Sequence, residues 1–331
     1  MTKTVKDERY LCVSAYVRAL ESQLLTYGDL TRMIDADTPE DCLRILSDHG
    51  YPHLQPNMAA VERSLRDSRE ELLAELSTIL PDDAILDLFR IRYDYHNVKV
   101  ALKALWTDVD GTRLLMGGGR LEPLTLYHHL QTGEDGNLPD TLLAAVQETR
   151  ETVGATGDPQ KGDLILDRAC FAEQLSLAES AGSPFLTGYV RLLTDTANLQ
   201  SAVRVLRMGK DSHLLRDALF PGGTVSPDVL MESARTGDLT APWAASPLEE
   251  AAVLGQEALS GGSLTAFERA CDDGLTRYLQ SAALIPFGLE PVLAFIAARE
   301  QEQRNIRIIV SGRLANLPAQ TIRERMRESY V

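Results

Sequence analysis

The sequence predicts an all-α protein, on three observations. Helix starts recur along the chain. The apolar residues between them step by three and four, which gathers them on one helix face. A short signature of an acid and an asparagine returns three times. Aromatic residues are only 6% of the 331, which suits helices better than a barrel or a sandwich.

Taken in chain order, Thr38-Pro39-Glu40-Asp41 is the first strong start: a capping hydroxyl, a proline at the first helical position and an acid three residues after the cap. Between Asp87 and Leu105 the apolar line runs Leu88, Ile91, Tyr95, Val98, Leu102, Leu105, which predicts a helix. Leu138-Pro139-Asp140, Ser226-Pro227-Asp228, Ser246-Pro247-Leu248-Glu249 and Leu317-Pro318-Ala319 place proline where a first turn begins. Loops are expected at Gly117 to Gly119, Gly133 to Gly136, Gly154 to Gly162, Pro221 to Gly223 and Ser260 to Ser263. The most apolar stretch, Ala282 to Ala298, is short for a membrane span and carries Pro286, Gly288, Glu290 and Pro291, so it is expected to be buried helix broken by prolines. Ile306 to Val310 is β-branched in composition, but the repeat places it in a helix.

The signature reads Asp94-Tyr-His-Asn97-Val-Lys99, then Asp195-Thr-Ala-Asn198-Leu-Gln200, then Glu302-Gln-Arg-Asn305-Ile-Arg307. Each copy is preceded by an acid-arginine landmark: Glu62-Arg63, Asp167-Arg168 and Glu268-Arg269. A proline lies between landmark and signature each time, at Pro81, Pro184 and Pro286, and a glycine then a proline follow. Ile91, Tyr95, Val98, Leu102 and Leu105 match Leu192, Thr196, Leu199, Val203 and Leu206 at one constant offset, with only Thr196 breaking the apolar line. These landmarks predict three copies of a helical unit, divided as 1–115, 116–216 and 217–331, each of ordinary domain size. Acid and asparagine three apart share a helix face. Asparagine is a poor mid-helix residue, so each copy implies a side-chain task, and hydrogen-bonding a neighbouring loop or helix is the expected one.

The formal net charge is −15, which argues against nucleic-acid binding. From Arg299 onward seven arginines face only four glutamates, and Arg313, Arg323 and Arg327 are candidates to dock on an acidic partner. Cys12, Cys42, Cys170 and Cys271 are scattered, without metal-ligand spacing, which suggests a reducing compartment. Residues 1–9 have no apolar core, so no signal peptide is expected.

Catalytic constellations are sparse. There is no phosphate-binding Gly-rich loop followed by lysine, and no nucleophile elbow. His49 and His53 are separated by Gly50, Tyr51 and Pro52, a poor helical metal pair. Asp82, Asp83 and Asp87 resemble a Mg²⁺-diphosphate cluster of a helical transferase. Acids opening a helix after Pro81 explain them as well, and Asp272-Asp273 is the only second cluster.

With their flanks, these landmarks resemble one family of V/A-type rotary ATPases (ATP synthases): the prokaryotic C subunits, counterparts of the vacuolar d subunits. The resemblance rests on Tyr10 to Leu25 with Arg18 and Leu24-Leu25, on Leu88 to Lys99, and on Asn305-Ile306-Arg307 followed by Gly312-Arg313, Leu317-Pro318, Ile322 to Arg325 and Tyr330. It implies three similar helical domains around a pseudo-threefold axis, forming a funnel. It also implies a non-catalytic part of the central stalk, without cofactor, peripheral to the membrane on the cytoplasmic side. Its partners would be the central shaft of the ATPase head and the membrane rotor ring. The alternatives are an independent helical scaffold and, behind it, the Mg²⁺-dependent transferase.

Overall fold

The structure is a computed structural model and describes residues 8–52, 54–134, 138–209 and 212–331. The regular structure of these residues is entirely helical, with no strand. They divide into two compact units.

The first unit takes residues 1–81, 196–215 and 228–331. It holds α1 (Leu11–Glu21), α2 (Tyr27–Asp35), α3 (Pro39–Asp48) and α4 (Met58–Ile79) from the first part of the chain. From the last part come α11 (Pro227–Thr236), nearly all of it within this unit, then α12 (Glu249–Leu259), α13 (Leu264–Gln280), α14 (Leu289–Leu314) and α15 (Ala319–Arg325). Helix α14 is buried without a break from Pro291 to Ala298. A helix apolar around its whole circumference belongs in the interior, and α1, α2, α3 and α4 pack against it. Leu25, Leu30, Met33, Leu46 and Leu65 join Ile306, Ile309 and Val310 in one core, so residues from the two ends of the sequence are bound together.

The second unit takes residues 82–195 and 216–227. It holds α5 (Ala84–Thr107), α6 (Pro123–Thr132), α7 (Asp140–Thr156) and α8 (Pro159–Ser180). Helix α5 packs on α6 and α8, and α7 lies along α8. Their core is built from Ile91, Tyr95, Val98 and Leu102 of the expected apolar line, with Leu126, Leu142, Val146 and Leu166. Leu105, last in that line, is 43% exposed, so the buried face stops one turn earlier. Helix α9 (Pro184–Arg207) and the short α10 (Ser212–Asp217) each run across the division between units.

The Thr38 cap forms as expected, its hydroxyl accepting the Asp41 N–H at 3.1 Å. Three expectations need correction. Ser246 does not cap α12: the helix starts at Glu249, two residues after Pro247, with Leu248 in the cap position and no side-chain cap bond. Gly154 to Gly162 is no long loop: α7 runs to Thr156, only Gly157 and Asp158 turn the chain, and α8 starts at Pro159. Gly162 is inside α8 because the helices touch there; a Cβ would meet Thr149 Cγ2 at 2.9 Å and Val153 Cγ2 at 3.0 Å. The last correction concerns Pro291 alone: the chain leaves the helix at Ile285 to Gly288, around Pro286, as expected, but α14 runs on through Pro291. Pro291 is the third helical residue, where no intrahelical acceptor awaits its missing N–H. Ile306 to Val310 is helical, as the repeat placed it.

Candidate functional site

The three signatures sit mid-helix on α5, α9 and α14, and all six residues are buried. On α5, Asn97 uses both ends of its amide on one residue. Its Oδ1 accepts the Met116 N–H at 2.8 Å and its Nδ2 donates to the Met116 carbonyl at 2.8 Å. One turn back, Asp94 Oδ1 accepts the N–H groups of Arg120 and Leu121 at 3.0 and 3.2 Å. Asp94 Oδ2 accepts from Arg120 Nε at 2.7 Å, and Arg120 Nη1 continues to Glu173 at 2.6 Å. Glu122 then caps α6, taking the N–H groups of Leu124 and Thr125. Asparagine is tolerated in mid-helix here because its amide is spent on a loop rather than on its own backbone.

On α9, Asp195 repeats the grip. Its Oδ2 accepts the Thr224 N–H at 3.0 Å and the Thr224 hydroxyl, and its Oδ1 accepts the Val225 N–H at 3.2 Å. Ser226 and the start of α11 follow directly.

On α14 the clasp draws on two distant segments. Asn305 holds Arg327 as Asn97 holds Met116, with Oδ1 to the Arg327 N–H at 2.8 Å and Nδ2 to its carbonyl at 3.1 Å. Glu302 reaches to the first part of the chain. Its Oε2 accepts the Leu25 N–H at 2.6 Å, and its Oε1 accepts from the Tyr51 hydroxyl at 3.0 Å and Arg299 Nη1 at 2.5 Å. Thr26 then caps α2 in a capping box with Asp29. In all three clasps the acid grips the N–H of an apolar residue shortly before a helix begins: Leu121 before α6, Val225 before α11 and Leu25 before α2.

Burial raises the carboxyl pKa of Asp94 and of Asp195 above the ordinary range, although each accepts several hydrogen bonds. Burial pushes the Tyr51 hydroxyl up further beside Glu302. The landmark acids meet the same helices: Lys99 pairs with Asp167 at 2.5 Å, Arg204 with Glu268 at 2.9 Å and Arg307 with Glu62 at 3.0 Å. Every landmark therefore ties its helix to a signature helix. The sequence marked which residues recur but not their partners, which lie up to 277 residues away.

The arginines singled out from the sequence are engaged within the chain. Arg313 donates to the carbonyls of Ala36 and Asp37, Arg323 pairs with Asp35, and Arg327 Nε meets Asp272 at 2.8 Å. Arg327 is 14% exposed, whereas Arg323 keeps 35% of its side chain in solvent.

The acidic clusters are engaged too. Asp83 and Asp87 stand at the start of α5, with Arg90 at 3.8 and 3.5 Å. Asp272 holds Arg304 and Arg327, and Asp273 accepts the Glu328 N–H at 2.6 Å. Among the described residues no three His, Cys, Asp or Glu side chains are grouped to hold a metal ion. His49 stands 3.6 Å from Asp29; His53, and Asp135 and Gly136 of the Gly133 to Gly136 loop, lie outside the described residues. A groove of about 470 Å³ in the second unit is lined by Asp87, Ile91, Arg120, Thr141, Glu173 and Ser176, among others. Its guanidinium is already bound to Asp94 and Glu173. No helix among the described residues is long and apolar enough to cross a membrane.

What this arrangement does chemically is hold: three buried side-chain clasps fix loops to long helices. A family model described as "ATP synthase (C/AC39) subunit" matches residues 13–325. The C subunit of the V-type sodium ATPase of Enterococcus hirae is 26% identical over 322 residues, covering 95% of this chain and 97% of that one. The C subunit of the A-type ATP synthase of Methanocaldococcus jannaschii is 24% identical, over 98% of this chain and 88% of that one. The C subunit of the V-type ATP synthase of Thermus thermophilus is 24% identical, over 96% and 98% respectively.

Proposed function

Because the chain belongs to the ATP synthase (C/AC39) subunit family, we propose that it seats the central shaft of a rotary V/A-type ATPase on the membrane rotor ring and passes torque between them. Within that family it is a structural subunit and not an enzyme. The observation that carries the proposal is the triple clasp. A part that transmits torque needs stiff long helices whose connecting loops cannot slide. Buried carboxylates and amides that grip loop backbone supply this, since breaking one leaves a polar group unpaired.

The same reading divides the chain into three repeats, expected from sequence at 1–115, 116–216 and 217–331, set around a pseudo-threefold axis as a funnel. The clasps favour cutting each repeat just before its signature helix, with the third completed by residues 1–81. A position on the cytoplasmic side, peripheral to the membrane, belongs to the proposal as well. So does an interface on Arg313, Arg323 and Arg327, in which Arg323 is more exposed than Arg327.

The test is a pull-down of the tagged protein from native membranes, with mass spectrometry of what co-purifies. Head, shaft and rotor-ring subunits recovered in stable amounts would support the proposal. Recovery of none would hand the fold to the independent-scaffold reading.

A further inference from the structure

Residues 326–331 form a strap without helix or strand, continuing from α15. Its main chain is read almost residue by residue by side chains of α13 and α14. Asn305 takes both the N–H and the carbonyl of Arg327. Asp273 accepts the Glu328 N–H at 2.6 Å, and Gln280 Nε2 donates to the Ser329 carbonyl at 3.2 Å and the Tyr330 carbonyl at 3.5 Å. Four side chains of the strap are read as well: Arg327 by Asp272 at 2.8 Å, Glu328 by Arg277 at 3.6 Å, Ser329 by the Leu25 carbonyl at 3.2 Å and Tyr330 by Glu21 at 3.5 Å. Met326 is the strap residue that enters the hydrophobic core of this unit.

This is the contact pattern of a peptide in a recognition slot: main-chain bonds hold the backbone and side-chain contacts set selectivity. It differs from the Asn97 clasp, where Met116 sits in a loop anchored by α5 on one side and α6 on the other. A segment held chiefly by polar contacts and little apolar burial opens at lower free energy than the core beneath it.

We propose that Asp272, Asp273, Gln280 and Asn305, with Glu21, form a peptide-binding slot, occupied in cis by the strap. Its ligand class is a short segment bearing an arginine and, three residues on, a tyrosine. The slot is coupled to the first part of the chain. Ser329 Oγ donates to the Leu25 carbonyl at 3.2 Å, and Glu302 holds the N–H of the same residue. Displacing the strap therefore loosens the Glu302 clasp on the segment leading into α2.

The experiment uses the full-length chain carrying Arg327→Ala, which weakens the cis occupant, and a labelled peptide of residues 325–331. Circular dichroism checks the fold, and fluorescence anisotropy reads binding. Saturable binding about tenfold tighter to the variant than to the unsubstituted chain is expected, because the strap competes in the latter. A peptide whose residue-327 arginine is alanine should lose most of that binding. Equal affinity for both chains, or no saturation with either, would overturn the proposal. Should the variant fail to fold, hydrogen exchange on the unsubstituted chain decides. Excess peptide should speed exchange at Glu328 and at Leu25, and unchanged protection at both would overturn it.

Discussion

Glu302 accepts the main-chain N–H of Leu25 across 277 positions of sequence, at 2.6 Å and inside the core. It does for the third signature what Asp94 does at Leu121 and Asp195 at Val225. The longer acid stands where the gripped backbone arrives from a different part of the chain.

Removing that carboxylate strands three partners: the Leu25 N–H, the Tyr51 hydroxyl and Arg299. Glu302→Ala should cost about 3 kcal/mol of stability, and Glu302→Gln about half as much, since it keeps the volume but loses the charge. Urea unfolding curves of the two variants against the parent check both the size and the order. A neutral Glu302→Ala would sink the clasp interpretation.

Gly119 and Gly223 lie against their carboxylates so closely that a Cβ on either would collide with Oδ1 of Asp94 or of Asp195. Gly119→Ala and Gly223→Ala should each destabilise by about 2 kcal/mol, because the loop must lift off the N–H grip. Gly154, inside α7 with open space around its Cβ position, is the control. Gly154→Ala should stabilise by about 0.5–1 kcal/mol, as alanine replaces glycine within a helix. Thermal melts of the three variants should therefore move in opposite directions.

Acid should weaken the α2 cap. Burial alone would raise the Asp29 carboxyl, but hydrogen bonds from Thr26 and the guanidinium of Arg32 outweigh it and hold the pKa at about 2. A depressed folded-state pKa contributes stability that is present above the unfolded value near 4. That stability is lost as pH falls from there toward 2. Asp29→Asn should be roughly 1–2 kcal/mol less stable than the parent at pH 6. The gap should close by pH 2. Asp94 and Asp195 act in the opposite sense: burial raises their pKa, so their ionised forms oppose folding and that penalty eases as pH falls. The ratio of midpoints for Asp29→Asn and parent across pH isolates the first effect.

Thiol reactivity should separate one cysteine from three. Cys42, Cys170 and Cys271 are buried, and burial pushes each thiol up to about 12, far from the reactive thiolate. Cys12 is exposed on α1. At pH 8 iodoacetamide should modify Cys12 alone in the native chain and all four in urea, as peptide mapping would read.

Much of the fold was legible because it is written locally. The Thr38 cap, the α5 apolar line and the helical run through Ile306 each depend on residues within a turn or two of one another. Asn97 and Asn305 were legible as residues with a task, since mid-helix asparagine has no local reason to be there. Gly162 misled for the same reason in reverse. Glycine reads as a loop until α7 is seen against it, with Thr149 and Val153 where a Cβ would go. Arg327 read as a surface cation, and only the packing of the strap on α13 turns it toward Asp272.

By itself the sequence determined the helical class, the Thr38 cap and the threefold recurrence of an acid and an asparagine, because helix periodicity and capping act over three or four residues. The partners were decided by tertiary structure alone. A buried carboxylate must find donors somewhere, but nothing near Glu302 in sequence says that they are the Leu25 N–H and the Tyr51 hydroxyl. That choice is made when α14 is enclosed by α1 to α4, and burial then makes the bond costly to break.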